Sequence, residues 1–154
     1  MKNQTCLSRW MEKYLPITAQ QCVEDTIHNE DRVLQIINHS LIKWLGLRPK
    51  ILKKFGLTLG RPVRFAGLVI LENVYEETVL SINSRNCSLC QFSASFTIDA
   101  RSNLCVYCPI MKATGSSCED CWQIFRRDFN PLPMIQLLIK TRKVYLNAKE
   151  STID

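Results

Sequence analysis

Six of the eight cysteines fall in three C-x2-C pairs within 35 residues: Cys87/Cys90, Cys105/Cys108 and Cys118/Cys121. Two thiolates two residues apart can bind one tetrahedral metal ion, and two such pairs make a closed four-cysteine zinc site. Several pairings satisfy that chemistry. Cys87, Cys90, Cys105 and Cys108 form the first-choice set, because the fourteen residues between the pairs suit the hairpin of a zinc ribbon. Cys87/Cys90 with Cys118/Cys121 is the treble-clef layout, with the second pair on the first turn of a helix. A mixed set of Cys87, Cys90, Cys108 and Cys118 is also consistent. An iron–sulfur cluster is the alternative cofactor: four cysteines hold such clusters too, and Pro109 follows Cys108 as in some of them. A zinc ion with four cysteine ligands is coordinatively full and cannot activate water, so this reading makes the metal structural. Cys6 and Cys22 lie far from the pairs and read as small buried hydrophobes.

The elements that must position these thiols follow from periodicity and caps. Thr5 to Leu15 suits a short amphipathic helix stopped by Pro16, and Thr18 can cap a second. From about Glu30 to Leu45 the apolar residues Val33, Leu34, Ile37, Leu41, Trp44 and Leu45 recur at helical spacing, with Asn29 as N-cap and Gly46 as terminator. Pro49 to Phe55, closed by Gly56, has the Pro-first, Gly-after pattern of a short helix. Val63 to Glu72 and Val79 to Asn83 predict a β-hairpin around a polar Asn73 to Glu77 turn. Phe92, Ala94, Phe96 and Ile98 alternate with polar residues, which predicts a strand, with Leu104 to Tyr107 as its return. Helices are expected over Cys118 to Phe129, capped by Ser116 or Ser117, and over Pro133 to Ala148.

The expected fold is therefore α+β. A helical basic region (1–60) precedes a β-hairpin and a zinc-ribbon or treble-clef-like module (61–130). A C-terminal helix (131–154) packs back to make one compact domain. Nothing in the N-terminal residues reads as a signal peptide, and no apolar run approaches a membrane span. A cytoplasmic, reducing location is the expectation, and there paired cysteines hold metal more often than disulfides.

Net charge is +6 and unevenly spread. Between Arg32 and Leu71 there are eight basic residues and no Asp or Glu. Arg48, Lys50, Lys53, Lys54, Arg61 and Arg64 are the candidate partner-binding residues, with Arg126 and Arg127 as a second patch and Trp44 or Phe55 as bases' stacking platforms. Catalytic signals are sparse. The two histidines, His28 and His39, lie far from the cysteines, and no H-E-x-x-H, G-x-S-x-G, P-loop or GxGxxG string occurs. A non-enzymatic role is the expectation.

The strings Cys87-Ser-Leu-Cys90, Cys105-Val-Tyr-Cys108-Pro109 and Thr114-Gly-Ser-Ser-Cys118 together resemble a pattern in small uncharacterised cysteine-rich proteins of tailed bacteriophages. The resemblance covers about a quarter of the chain. It implies ligands drawn from Cys87, Cys90, Cys105, Cys108 and Cys118, because the position of Cys121 is often not cysteine in that pattern. It also implies a viral or mobile-element origin with a regulatory or counter-defence role. The partner would be a host protein complex, or alternatively DNA or RNA bound through the basic residues.

Overall fold

The structure is a computed structural model that describes residues 4–61, 69–73, 75, 76, 78–96 and 104–151. Arg64 and residues 97–103 lie outside the described set.

Helix α1 (Cys6–Tyr14) starts where the Thr5 hydroxyl accepts the Ser8 amide, and α2 (Ala19–Asp25) starts where Thr18 does the same for Gln21. These caps satisfy amides that lack an intrahelical partner. Helix α3 (Arg32–Gly46) begins after Asp31, two residues beyond the expected cap at Asn29. It is the central helix. Its contacts run to α1, α2, α4 (Pro49–Phe55), α5 (Ser88–Ala94) and α8 (Leu132–Ser151). Ile36 and Ile37 on α3 are wholly excluded from solvent.

Gly46 differs from its expected role. It is the last residue of α3 rather than a left-handed terminator. A Cβ placed there would stand 2.5 Å from Tyr14 Cγ and 2.7 Å from Tyr14 Cβ. Its missing side chain lets α1 and α3 touch, and the Trp10 indole N–H donates to the Gly46 carbonyl at 2.8 Å. Gly46→Ala is expected to overpack this junction and cost about 1–3 kcal/mol, read from the midpoint of urea unfolding. An unchanged midpoint would show that Tyr14 has room to retreat. Gly56, by contrast, does sit in the left-handed conformation (φ 68°) that ends α4.

The expected hairpin forms between β2 (Val69–Asn73) and β3 (Thr78–Ile82), with Leu71 opposite Leu80. A short strand missed in the sequence, β1 (Thr58–Gly60), pairs antiparallel with the other edge of β2. Asn73 holds the turn: its carboxamide oxygen accepts the Tyr75 and Glu76 amides at 2.9 and 3.0 Å.

The expected ribbon hairpin is not found among the described residues. The stretch read as a strand from Phe92 begins as helix α5, and Leu104–Tyr107 is a 3-10 turn rather than a return strand. Two periodicities compete in this segment. Ser88, Leu89, Phe92 and Ser93 recur at helical spacing and are all buried, and Phe92 and Phe96 meet edge-on at 5.0 Å. That i, i+4 contact is available only to a helix and its final turn. A further helix absent from the sequence reading, α6 (Pro109–Thr114), has Pro109 at its first position and Gly115 at its end. Helix α7 (Glu119–Asp128) is close to its expected bounds. The α+β class holds. Among the described residues no helix is long and apolar enough to cross a membrane.

Candidate metal centre

Three cysteines occupy the N-cap position of three different helices: Cys87 for α5, Cys108 for α6 and Cys118 for α7. Cys90 lies on the first turn of α5, and Cys105 on the 3-10 turn that leads to Cys108. The positive ends of short helices thus face the thiols, an arrangement that favours negative charge on sulfur. The buried core supports each one. The Ser88 hydroxyl donates to the Ile36 carbonyl at 2.8 Å, fixing the start of α5 on α3. Phe125 of α7 is fully buried and packs on Trp44 of α3 with ring centroids 4.7 Å apart. Pro109 and Ile110 of α6 are buried as well.

Five thiols interact electrostatically in this region: Cys87, Cys90, Cys105, Cys108 and Cys118. Cys121 stands apart, influenced by burial and by Asp120 but by no other thiol. On α7, position 121 is three residues past the N-cap.

The thiols border two spaces. A small pocket of about 20 Å³ is lined by Cys90, Cys105, Cys108 and Cys118, together with Ser93 and Ser117. A larger cavity of about 390 Å³ takes in Cys87, Cys90, Cys105 and Cys118 on one side and Lys43, Trp44 and Trp122 on the other. Among the described residues no three His, Cys, Asp or Glu side chains stand close enough to form a ready-made ligand set. The donors line shared space without converging on a point. The chemistry of the set nonetheless fits a thiophilic metal, and two buried hydroxyls that border these spaces, Ser40 and Ser93, have no hydrogen-bond partner among the described residues. Ser93 is fully buried.

Lys43 is a site residue to which sequence reading gave no role. It is one of the eight basic residues of the acid-free stretch, and it is 1% exposed and sits on the inner face of α3. Its ammonium donates to the Asn86 carbonyl at 2.8 Å, and no carboxylate pairs with it among the described residues. Burial lowers its pKa, while Cys87, Cys90 and Cys118 oppose that shift. The thiols are divided. A hydrogen bond with Cys90, reinforced by Lys43 and by the amides of Cys90 and Leu89, holds Cys87 well below the ordinary thiol range against the effect of burial. Cys90 is pushed up by the same shared hydrogen bond and then by burial. Burial pushes Cys108 up to about 11 and Cys118 up to about 12. Without a metal, these last three carry protons near neutral pH, so metal uptake must release protons.

The partner-binding candidates separate into two groups. Lys50, Lys53 and Lys54 are exposed along one side of α4, opposite buried Leu52, and Arg48 is exposed at its start. Arg61 has a structural task. Its guanidinium donates to the Arg126 and Arg127 carbonyls at the end of α7 and lies 4.8 Å from the Phe129 ring centroid. It thereby satisfies two terminal carbonyls of that helix. Arg126 is half-buried, and Arg127 is exposed and paired with Asp128 at 2.8 Å. Trp44 is buried against Phe125 and Trp122, so it offers no stacking face, and Phe55 is half-buried against Tyr14. His39 is buried, with Nε2 2.9 Å from the Ile17 carbonyl, and lies on α3 as a packing residue. Cys22 is buried as expected, whereas Cys6 is half-buried.

Ser93 and Lys43 were both missed as site residues, though each left a trace in the sequence. Ser93 follows Cys90 by three positions, which places it on the same helical face. Lys43 follows Ile36 and Ser40 by seven and three positions, on the buried side of α3. Comparison with family models, with curated proteins and with solved structures finds no match to this chain.

Proposed function

We propose that this is a non-enzymatic regulatory protein, encoded by a phage or mobile element. Its C-terminal half is organised by a thiolate-bound structural zinc ion, and it binds a host macromolecular complex and inhibits or redirects it. The observation that carries the metal is the gathering of five thiols, three of them at helix N-caps, along two interior spaces beside a buried lysine with no carboxylate partner among the described residues. A buried ammonium is costly unless negative charge compensates it, and metal-bound thiolates supply that charge. Partner binding is assigned to the lysine face of α4, because Lys50, Lys53 and Lys54 are exposed there while Lys43 is buried and Arg61 is engaged with the end of α7.

An iron–sulfur cluster is a second reading favoured by one observation: the cavity of about 390 Å³ bordered by Cys87, Cys90, Cys105 and Cys118 has room for more than one ion. Elemental analysis separates the two. About one zinc per chain and no visible absorption support the first reading, and iron with a brown absorbance supports the second.

The binding role has its own test. The double variant K53E/K54E is expected to unfold within about 0.5 kcal/mol of wild type, because both side chains are exposed. It is expected to lose the host complex in affinity capture. Retained capture would remove α4 from the interface. Nucleic acid as the partner would show instead as binding that weakens log-linearly with salt, by a smaller slope in the variant.

A further inference from the structure

We infer that the cavity of about 390 Å³ is a binding site for a small carboxylic acid with an apolar body, held at its head by Lys43 and Ser40. The site goes beyond the metal reading, and the cysteines that also border the cavity take no part in holding the ligand. Small-molecule sites have this volume range, with mostly apolar walls and a few placed polar groups. Trp44 of α3, Ile82 of β3, Leu89 of α5, Trp122 of α7 and Leu138 of α8 supply the apolar walls. Ile82, Leu89 and Leu138 are buried core residues, so the cavity reaches into the core. Ser84 and Glu119 border it too and are exposed, so it meets solvent beside them.

The polar groups specify the head. Ser40 and Lys43 stand three residues apart on α3, on one side of the helix, and both border the cavity. An ammonium has three N–H donors. Lys43 gives two of them to Asn86, to the carbonyl at 2.8 Å and to the side-chain oxygen at 3.3 Å, and the third has no acceptor among the described residues. The Ser40 hydroxyl is buried without a partner among the described residues. A helical serine commonly bonds the carbonyl four residues back. Here that carbonyl, of Ile36, accepts the Ser88 hydroxyl at 2.8 Å. Two donors on one helix face are thus left for an outside acceptor. A carboxylate accepts from both and brings the countercharge that a buried ammonium needs.

The test uses the full-length chain as purified, its metal content unchanged, with octanoate as the probe. Isothermal titration calorimetry reads affinity, and the indole N–H resonances of the three tryptophans read location. Trp44 and Trp122 border the cavity, whereas Trp10 does not and gives its indole N–H to Gly46. Octanoate is expected to shift Trp44 and Trp122 and to leave Trp10 in place. Octanol, which has the same body without the charge, is expected to bind about 10-fold more weakly. Lys43→Met is expected to bring octanoate down to the affinity of octanol. Ser40→Ala removes a hydroxyl without a partner, so it should fold as wild type and weaken octanoate about 3–10-fold. 2-Naphthoate is the second probe, and the tighter of the two acids fixes the body as acyl or aromatic. No shift with either acid overturns the site. Equal affinity for octanol, or shifts that include Trp10, overturn it too. Iron with acid-labile sulfide in the purified chain would fill the cavity and overturn it as well.

Discussion

Cys108→Ser is expected to abolish stoichiometric metal binding and to melt the structure around α5, α6 and α7. The physical reason is that the thiol sits at a junction rather than on one element. Cys108 caps α6, is buried, and shares its surroundings with thiols from α5 and α7. Helices α5 and α6 have seven and six residues, far below the length at which a helix persists alone. Packing on α3 and α8 supplies part of what they need, and the metal would supply the rest. Structural zinc contributes about 10–16 kcal/mol of apparent binding energy near neutral pH, as large as the whole stability of a typical domain. The variant should therefore lose near-ultraviolet ellipticity from Trp122 and Trp44, which border the cavity beside the thiols. Wild type stripped by a chelator should behave the same way, and added zinc should restore wild type but not the variant. A variant with unchanged melting temperature would show that apolar packing alone holds these helices.

Lys43→Met gives the second large effect, and its sign depends on the metal. Lys43 is buried and hydrogen-bonded to Asn86, whose own side chain donates to Ser81 and accepts from Asn83. In a metal-free chain, exchanging a buried ammonium for an apolar side chain of similar volume is neutral or stabilising. One carbonyl then loses a donor, at about 1–3 kcal/mol. With a four-thiolate centre present, the ammonium offsets a net negative charge, and its loss leaves that charge uncompensated. Zinc affinity is then expected to fall about 10–100-fold, the usual effect of removing a group that supports metal ligands. Competition titration against a chromophoric chelator measures it. Affinity equal to wild type would show that Lys43 balances no metal–thiolate charge.

The sequence by itself determined the class of elements wherever a local signal stood alone. Thr5 and Thr18 cap helices, Pro49 and Gly56 bracket α4, and Asn73 closes the hairpin, because caps and turns act over three or four residues. The cysteine pairs likewise announced a cluster of thiols, since C-x2-C is a short-range pattern. Tertiary structure decided what periodicity left ambiguous. Between Cys87 and Phe96 the apolar residues fit both a strand and a helix, and the buried face of Ser88, Leu89, Phe92 and Ser93 against α3 selected the helix. That choice brings Cys90 and Ser93 to the same small pocket as Cys118. It could not be read locally, because the partners lie between about 15 and 50 residues away in the chain. Charge was incomplete as a guide for the same reason. A lysine on an amphipathic helix is counted as solvent-facing until the packing shows which side is covered, and on α3 the covered side includes Lys43 because α5 and α8 both pack there.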